Sequence, residues 1–134
     1  MTWMNWYESL AKPAWTPAPA TISLIWTVLY PIILVSFGFV FVQAFRRQVP
    51  WIVAVPFAVN LVANLLFMPI FSGLRNVPLA AADIVIVWMT IIWCVVAVWP
   101  HSRSVAVAQG PYFVWVSVAT ALQLSITAMN WGRP

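Results

Sequence analysis

Apolar residues run through this chain in long uninterrupted blocks, and the few charged residues mark where the blocks end. The six basic residues are Lys12, Arg46, Arg47, Arg75, Arg103 and Arg133; the two acidic ones are Glu8 and Asp83. Uncharged stretches lie between them at 13–45, 48–74, 84–102 and 104–132. A helix crossing the hydrocarbon core of a bilayer needs about 20 mostly apolar residues, so each stretch holds one span and none comfortably holds two. The pattern predicts helices near 20–44, 50–71, 78–99 and 105–130. In lipid a helix satisfies its own backbone groups, which makes the fold class all-α: an integral membrane helical bundle of four transmembrane helices. Residues 1–134 form one membrane domain.

Prolines and aromatics punctuate these elements. Trp3, Trp6, Tyr7, Pro13, Trp15, Pro17 and Pro19 make 1–19 an interfacial segment, because amphipathic rings favour the headgroup layer. The prolines forbid a regular helix over 13–19, while Trp3–Leu10 has room for a short turn, so the segment reads as a lid or collar on the bundle. Pro31 is expected to kink the first helix, and Pro56 and Pro69 to bend the ends of the second. Pro78 falls in the first turn of the third helix, where a missing N–H costs nothing. Gly110-Pro111 predicts a kink early in the fourth.

Composition agrees with lipid as the main solvent. Hydrophobic residues make up 64% of the chain, charged residues 6%, and the mean hydropathy is +0.96. A soluble domain carries about 25% charged residues. The net charge of +4 is scattered over loops rather than gathered in a stripe, which argues against a nucleic-acid partner. Three basic residues fall at each end of the bundle, so the positive-inside rule gives no orientation. The first 19 residues lack a basic leader and a continuous apolar core, so no cleavable signal is expected. Cys94 lies in an apolar span and reads as a small packing residue.

Polar residues inside the spans carry the functional information, since lipid penalises them. Asn60 and Asn64 share a helix face with Met68 one turn on, and that face must point into the bundle. Two readings of it remain, interhelical bonding and a ligand-facing role for Asn64. Asp83, one turn into the third helix, suits capping or packing. Thr120, Gln123 and Thr127 line up on the fourth helix beside a stripe of Trp115 and Ala119, and Trp26 and Tyr30 share a face of the first. Trp26 and Trp115 fall within spans rather than at their ends, which favours a pocket wall over a lipid belt. His101 is in a loop, and no nucleophile–base pair, metal motif or phosphate loop is present, so no catalytic residue, no metal and no enzyme activity are expected.

The runs WYESLAKPAWTP (Trp6–Pro17), IWTVLY (Ile25–Tyr30), NLVANLLFMPIFSG (Asn60–Gly73), LAAADI (Leu79–Ile84) and PYFVWVSVATAL (Pro111–Leu122), with Asn130-Trp131, occur in this order. Together they resemble the tryptophan-rich sensory protein / translocator protein family, the TspO and peripheral benzodiazepine receptor group. The resemblance implies a membrane bundle, often dimeric, that binds tetrapyrroles such as protoporphyrin in a pocket capped by the first loop. It places ligand contacts at Tyr7, Pro17, Trp26, Asn64, Trp115 and Ala119, with Trp26 and Trp115 tied to light-dependent porphyrin breakdown. Family members have five membrane helices, and this sequence begins at what is normally the loop after the first. Other departures are Ala18 for the second proline of Trp-x-Pro-Pro, Phe67 for a tryptophan, and Gln123 for an asparagine. Leu124 and Ala128 replace the tyrosine and basic residue of the sterol-recognition pattern, so sterol transport is not expected.

The function these features suggest is binding of porphyrin or a similar flat hydrophobic ligand, with a regulatory or sensory role, in a bacterial inner membrane. The alternative is a small transmembrane subunit of a larger membrane complex, pigment–protein or photosynthetic. The expected partners are the bilayer, a hydrophobic small molecule, and a second copy or a partner helix filling the groove of the absent first span.

Overall fold

The computed structural model describes residues 7–74 and 76–130. Trp3, Trp6, Arg75, Trp131 and Arg133, and the side chain of Met68, lie outside the described residues. Helix α1 spans Pro19–Phe45, α2 Val55–Met68, α3 Val77–Val98, α4 Arg103–Ala108 and α5 Gly110–Met129. A 3-10 turn at Trp51–Val53 leads into α2, and a π-helical turn at Pro69–Gly73 leaves it. Among the described residues, four helical segments are long and apolar enough to cross a membrane: Pro19–Phe45, Trp51–Phe71, Val77–Val98 and Arg103–Met129.

Each helix starts and stops for a local reason. Pro19 opens α1, where its fixed φ is already helical and no N–H is needed. Helix α1 continues through Pro31 and turns a stripe of Leu29, Ile33, Ser36, Phe37 and Val40 inward. Its end is closed by Arg47 N–H on Ala44 O (3.1 Å) and Gln48 N–H on Gln43 O (2.9 Å), the Schellman pattern. That closure needs a left-handed residue, here Arg47 at φ 59°. The widened turn after α2 is closed by Leu74 N–H on Pro69 O (3.0 Å), and Pro69 itself has no N–H for the carbonyl of Leu65. Asn76 then caps α3, its Oδ1 accepting from Leu79 N–H at 3.0 Å. Asp83 is therefore not the cap that the sequence allowed it to be; it is 7% exposed, inside the bundle.

The predicted kink at Gly110-Pro111 is a full break. Pro111 cannot donate to the carbonyl of Val107, so the expected single helix over 105–130 becomes α4 and α5 with Gln109 between them. Ser102 Oγ caps α4 by accepting from Val105 N–H at 3.3 Å. The Gln109 side chain donates to Val105 O (3.1 Å) and to Ser36 Oγ of α1 (2.9 Å), so the break also ties α1 to the bundle.

Helix α3 is the central element, packed along α2 on one side and α5 on the other. Both seams are antiparallel. Asn60 Nδ2 donates to Val87 O (3.0 Å) and Thr90 Oγ1 (2.9 Å) in the first. Trp88 Nε1 donates to Ser117 Oγ (2.9 Å) and Gln123 Nε2 to Val77 O (3.2 Å) in the second. Edge-to-face contacts of Phe37 with Phe57 (4.9 Å) and Tyr112 (6.5 Å) seat α1 against α2 and α5. Exposed Leu24, Val28, Leu34 and Val35 on the outer side of α1 suit contact with lipid.

Candidate functional site

The polar groups inside the spans converge on a residue that sequence reasoning passed over, Tyr112. It is fully buried near the start of α5. Its hydroxyl donates to Asn60 Oδ1 (2.9 Å) and accepts from Asn64 Nδ2 (2.7 Å). Asn60 is itself fully buried, and with its bonds to Val87 and Thr90 all of its amide is engaged. Of the two readings open for this face, Asn60 takes interhelical bonding. Asn64 differs: it is half-buried, spends one N–H on Tyr112, and keeps its oxygen and second N–H available.

Aromatic rings surround this relay. Trp26 stacks on Tyr30 (5.2 Å between centroids) and meets Tyr112 edge-on at 6.4 Å. Trp115 is one turn beyond Tyr112 on α5 and 8% exposed, and Ala119 follows it on the same face. The Trp115 Nε1–H is buried without an acceptor, as is the hydroxyl of Thr120. A buried indole N–H normally finds a partner, and leaving it unmet in an apolar setting costs about 1–3 kcal/mol. Of the residues predicted from sequence, Asn64 and Trp26 meet Tyr112 directly, and Trp115 and Ala119 follow it along α5 in the same apolar cluster.

Tyr7 and Pro17 lie in the segment that precedes α1. They line an open cleft of about 410 Å³ together with Lys12, Thr16 and Pro19, and the other four predicted residues do not line it. The segment is pinned to the end of α5 by a two-way clasp: Ala11 N–H donates to Asn130 Oδ1 (3.0 Å) and Asn130 Nδ2 donates to Ala11 O (2.7 Å). Lys12 Nζ closes the preceding turn through Tyr7 O (2.8 Å) and Leu10 O (3.1 Å), and lies over the Tyr7 ring at 4.7 Å. Burial pushes the Tyr7 phenol above its ordinary value of 10.0. The ring meets Phe71 edge-on (6.1 Å), and Phe71 stacks on Phe67 (5.7 Å), one turn from Asn64. A file of rings therefore leads from the N-terminal segment to the polar relay.

Little in the sequence marked Tyr112. It is the second residue of a Pro-Tyr-Phe run, and only its spacing of three from Trp115 places it on the same face. Groups of His, Cys, Asp and Glu able to hold a metal are absent among the described residues.

Four apolar spans around a buried amide–phenol relay define an integral, multi-pass helical membrane protein. The chain belongs to the TspO/MBR family, whose model matches residues 1–129. It is 30% identical over 128 residues to Protein CrtK of Rhodobacter capsulatus, covering 96% of this chain and 80% of that protein. It is 32% identical over 126 residues to the uncharacterized membrane protein YtaB of Bacillus subtilis (94% and 81%). Against the tryptophan-rich protein TspO of Bacillus cereus it is 31% identical over 127 residues (94% and 81%).

Proposed function

We propose that the protein binds a flat, largely apolar ligand of the porphyrin type within the membrane, and that it serves a regulatory or sensory role rather than catalysing a reaction. The observation that carries this reading is the spare hydrogen-bonding capacity of Asn64 and Trp115 within a wall of aromatic rings. Pockets for small molecules combine an apolar lining with a few oriented polar groups, and a tetrapyrrole offers an apolar plane with polar edges to match. The Asn64 amide and the Trp115 N–H would hold those edges, with Trp26 and Ala119 against the plane. Tyr7 and Pro17 would close the site from the lid side. We place the protein in the inner membrane of a bacterium, as a homodimer or with a partner helix along the open apolar side of α1.

The test is a protoporphyrin titration of the detergent-solubilised protein, read by tryptophan fluorescence and by the porphyrin's own absorbance. Saturable quenching is expected, with the affinity of a Trp26→Leu, Trp115→Leu double variant at least ten-fold weaker. Quenching that rises linearly, with no saturation, would sink the proposal.

A further inference from the structure

The end of the bundle remote from the N-terminal segment is purely cationic. Arg46 and Arg47 close α1, Arg103 opens α4, and exposed His101 lies on the turn between α3 and α4. Glu8 and Asp83, the chain's two acidic residues, belong to the N-terminal segment and to the first two turns of α3, which begins at the opposite end. Arg103 packs over the Trp99 ring at 5.3 Å, but Arg46 and Arg47 are exposed and meet no acidic group at this end. Between the end of α1 and the start of the second span lies a cleft of about 550 Å³. Its walls include Ala44, Phe45, Arg47, Gln48 and Trp51.

Two features make this cleft more than a loop surface. Phe45 is 89% exposed and Trp51 71%, so aromatic rings flank a cation at the level where a span leaves the hydrocarbon. The cation is on the residue whose left-handed backbone a glycine would adopt without strain. A non-glycine residue there costs conformational free energy, so replacing Arg47 by glycine removes the charge without harming the helix end. A guanidinium matches the oxygens of a phosphate in a two-point contact.

We infer that this cleft holds the headgroup phosphate of an anionic phospholipid, with Arg47 as its main contact, Arg46 beside it, and Phe45 and Trp51 against the glycerol and upper acyl chains. A basic residue near an anionic membrane surface contributes enough to change lipid retention by roughly five-fold. The site is separate from the ligand site around Tyr112 and does not depend on it.

The experiment uses the full chain in a neutral detergent, with phosphatidylglycerol or phosphatidylcholine added. Bound lipid is counted by native mass spectrometry, and thermal unfolding is followed in parallel. Phosphatidylglycerol should be retained in preference to phosphatidylcholine and should raise the melting temperature. Arg47→Gly should cut that retention roughly five-fold while melting no lower than the parent in lipid-free detergent. Arg103→Gln, which removes a charge at the same end but outside the cleft, should change retention less than two-fold. Equal retention of the two lipids would overturn the inference, as would unchanged retention by Arg47→Gly or equal losses in both variants. Stabilisation reproduced in full by inorganic phosphate would also overturn it, by showing a soluble-anion site.

Discussion

At the scale of single residues, neighbouring polar groups on one helix have different tasks. Asn60 joins α2 to α3 and α5 at once, whereas Asn64 hydrogen-bonds the Tyr112 hydroxyl. Interhelical hydrogen bonds in membranes are worth about 0.6 kcal/mol on average and up to about 1.7. Asn60→Leu should therefore cost about 1–2 kcal/mol in an SDS unfolding titration, since it also leaves the Tyr112 hydroxyl without its acceptor, while Thr90 keeps its bond to Ile86 O. Asn64→Leu should cost less than about 1 kcal/mol, because it gives up one bond at a half-exposed position. Arg47→Gly should gain about 1 kcal/mol in neutral detergent by removing the penalty on a left-handed non-glycine residue. The sequence placed both asparagines inside the bundle, because an amide in lipid must be bonded. It did not separate them, since a four-residue spacing says that two side chains share a face and not which partner each one meets.

At the scale of elements, the four spans were legible because so few charges interrupt the apolar stretches, and the observed limits follow the predicted ones within two residues. Local backbone chemistry was less so. Pro111 marked the break at Gln109 only as a kink, and the bond of Gln109 to Ser36 was hidden because it joins residues far apart in the chain. The N-terminal segment was recognisable as a collar from its prolines and aromatics, but its clasp on Asn130 was not, because it joins opposite ends of the sequence. Loss of two hydrogen bonds there amounts to about 1–3 kcal/mol, or roughly ten-fold in an opening equilibrium. Asn130→Ala should accordingly speed amide hydrogen exchange across residues 8–12 about ten-fold, leaving the middle of α3 unchanged. Equal acceleration in α3 would mean that Asn130 supports the whole bundle rather than the segment.

At the scale of the whole molecule, the protein is a TspO/MBR-family bundle in which α3 forms the axis and a file of rings runs from the N-terminal segment to a buried relay. The family was readable from five short runs in order, and two of the six predicted contact residues, Asn64 and Trp26, meet Tyr112 directly. Tyr7 and Pro17 line a separate cleft at the lid, and a ligand reaching both regions would have to pass along Phe71 and Phe67. We propose that Asn64 and its surroundings serve a ligand, whereas Asn60 bonds helices together. A protoporphyrin titration of the parent and of Asn64→Leu, each followed by unfolding of the same sample, tests it most directly. Affinity at least ten-fold weaker for Asn64→Leu, at nearly unchanged stability, is expected. Undiminished affinity, or a loss of affinity that merely follows a loss of stability, would contradict it.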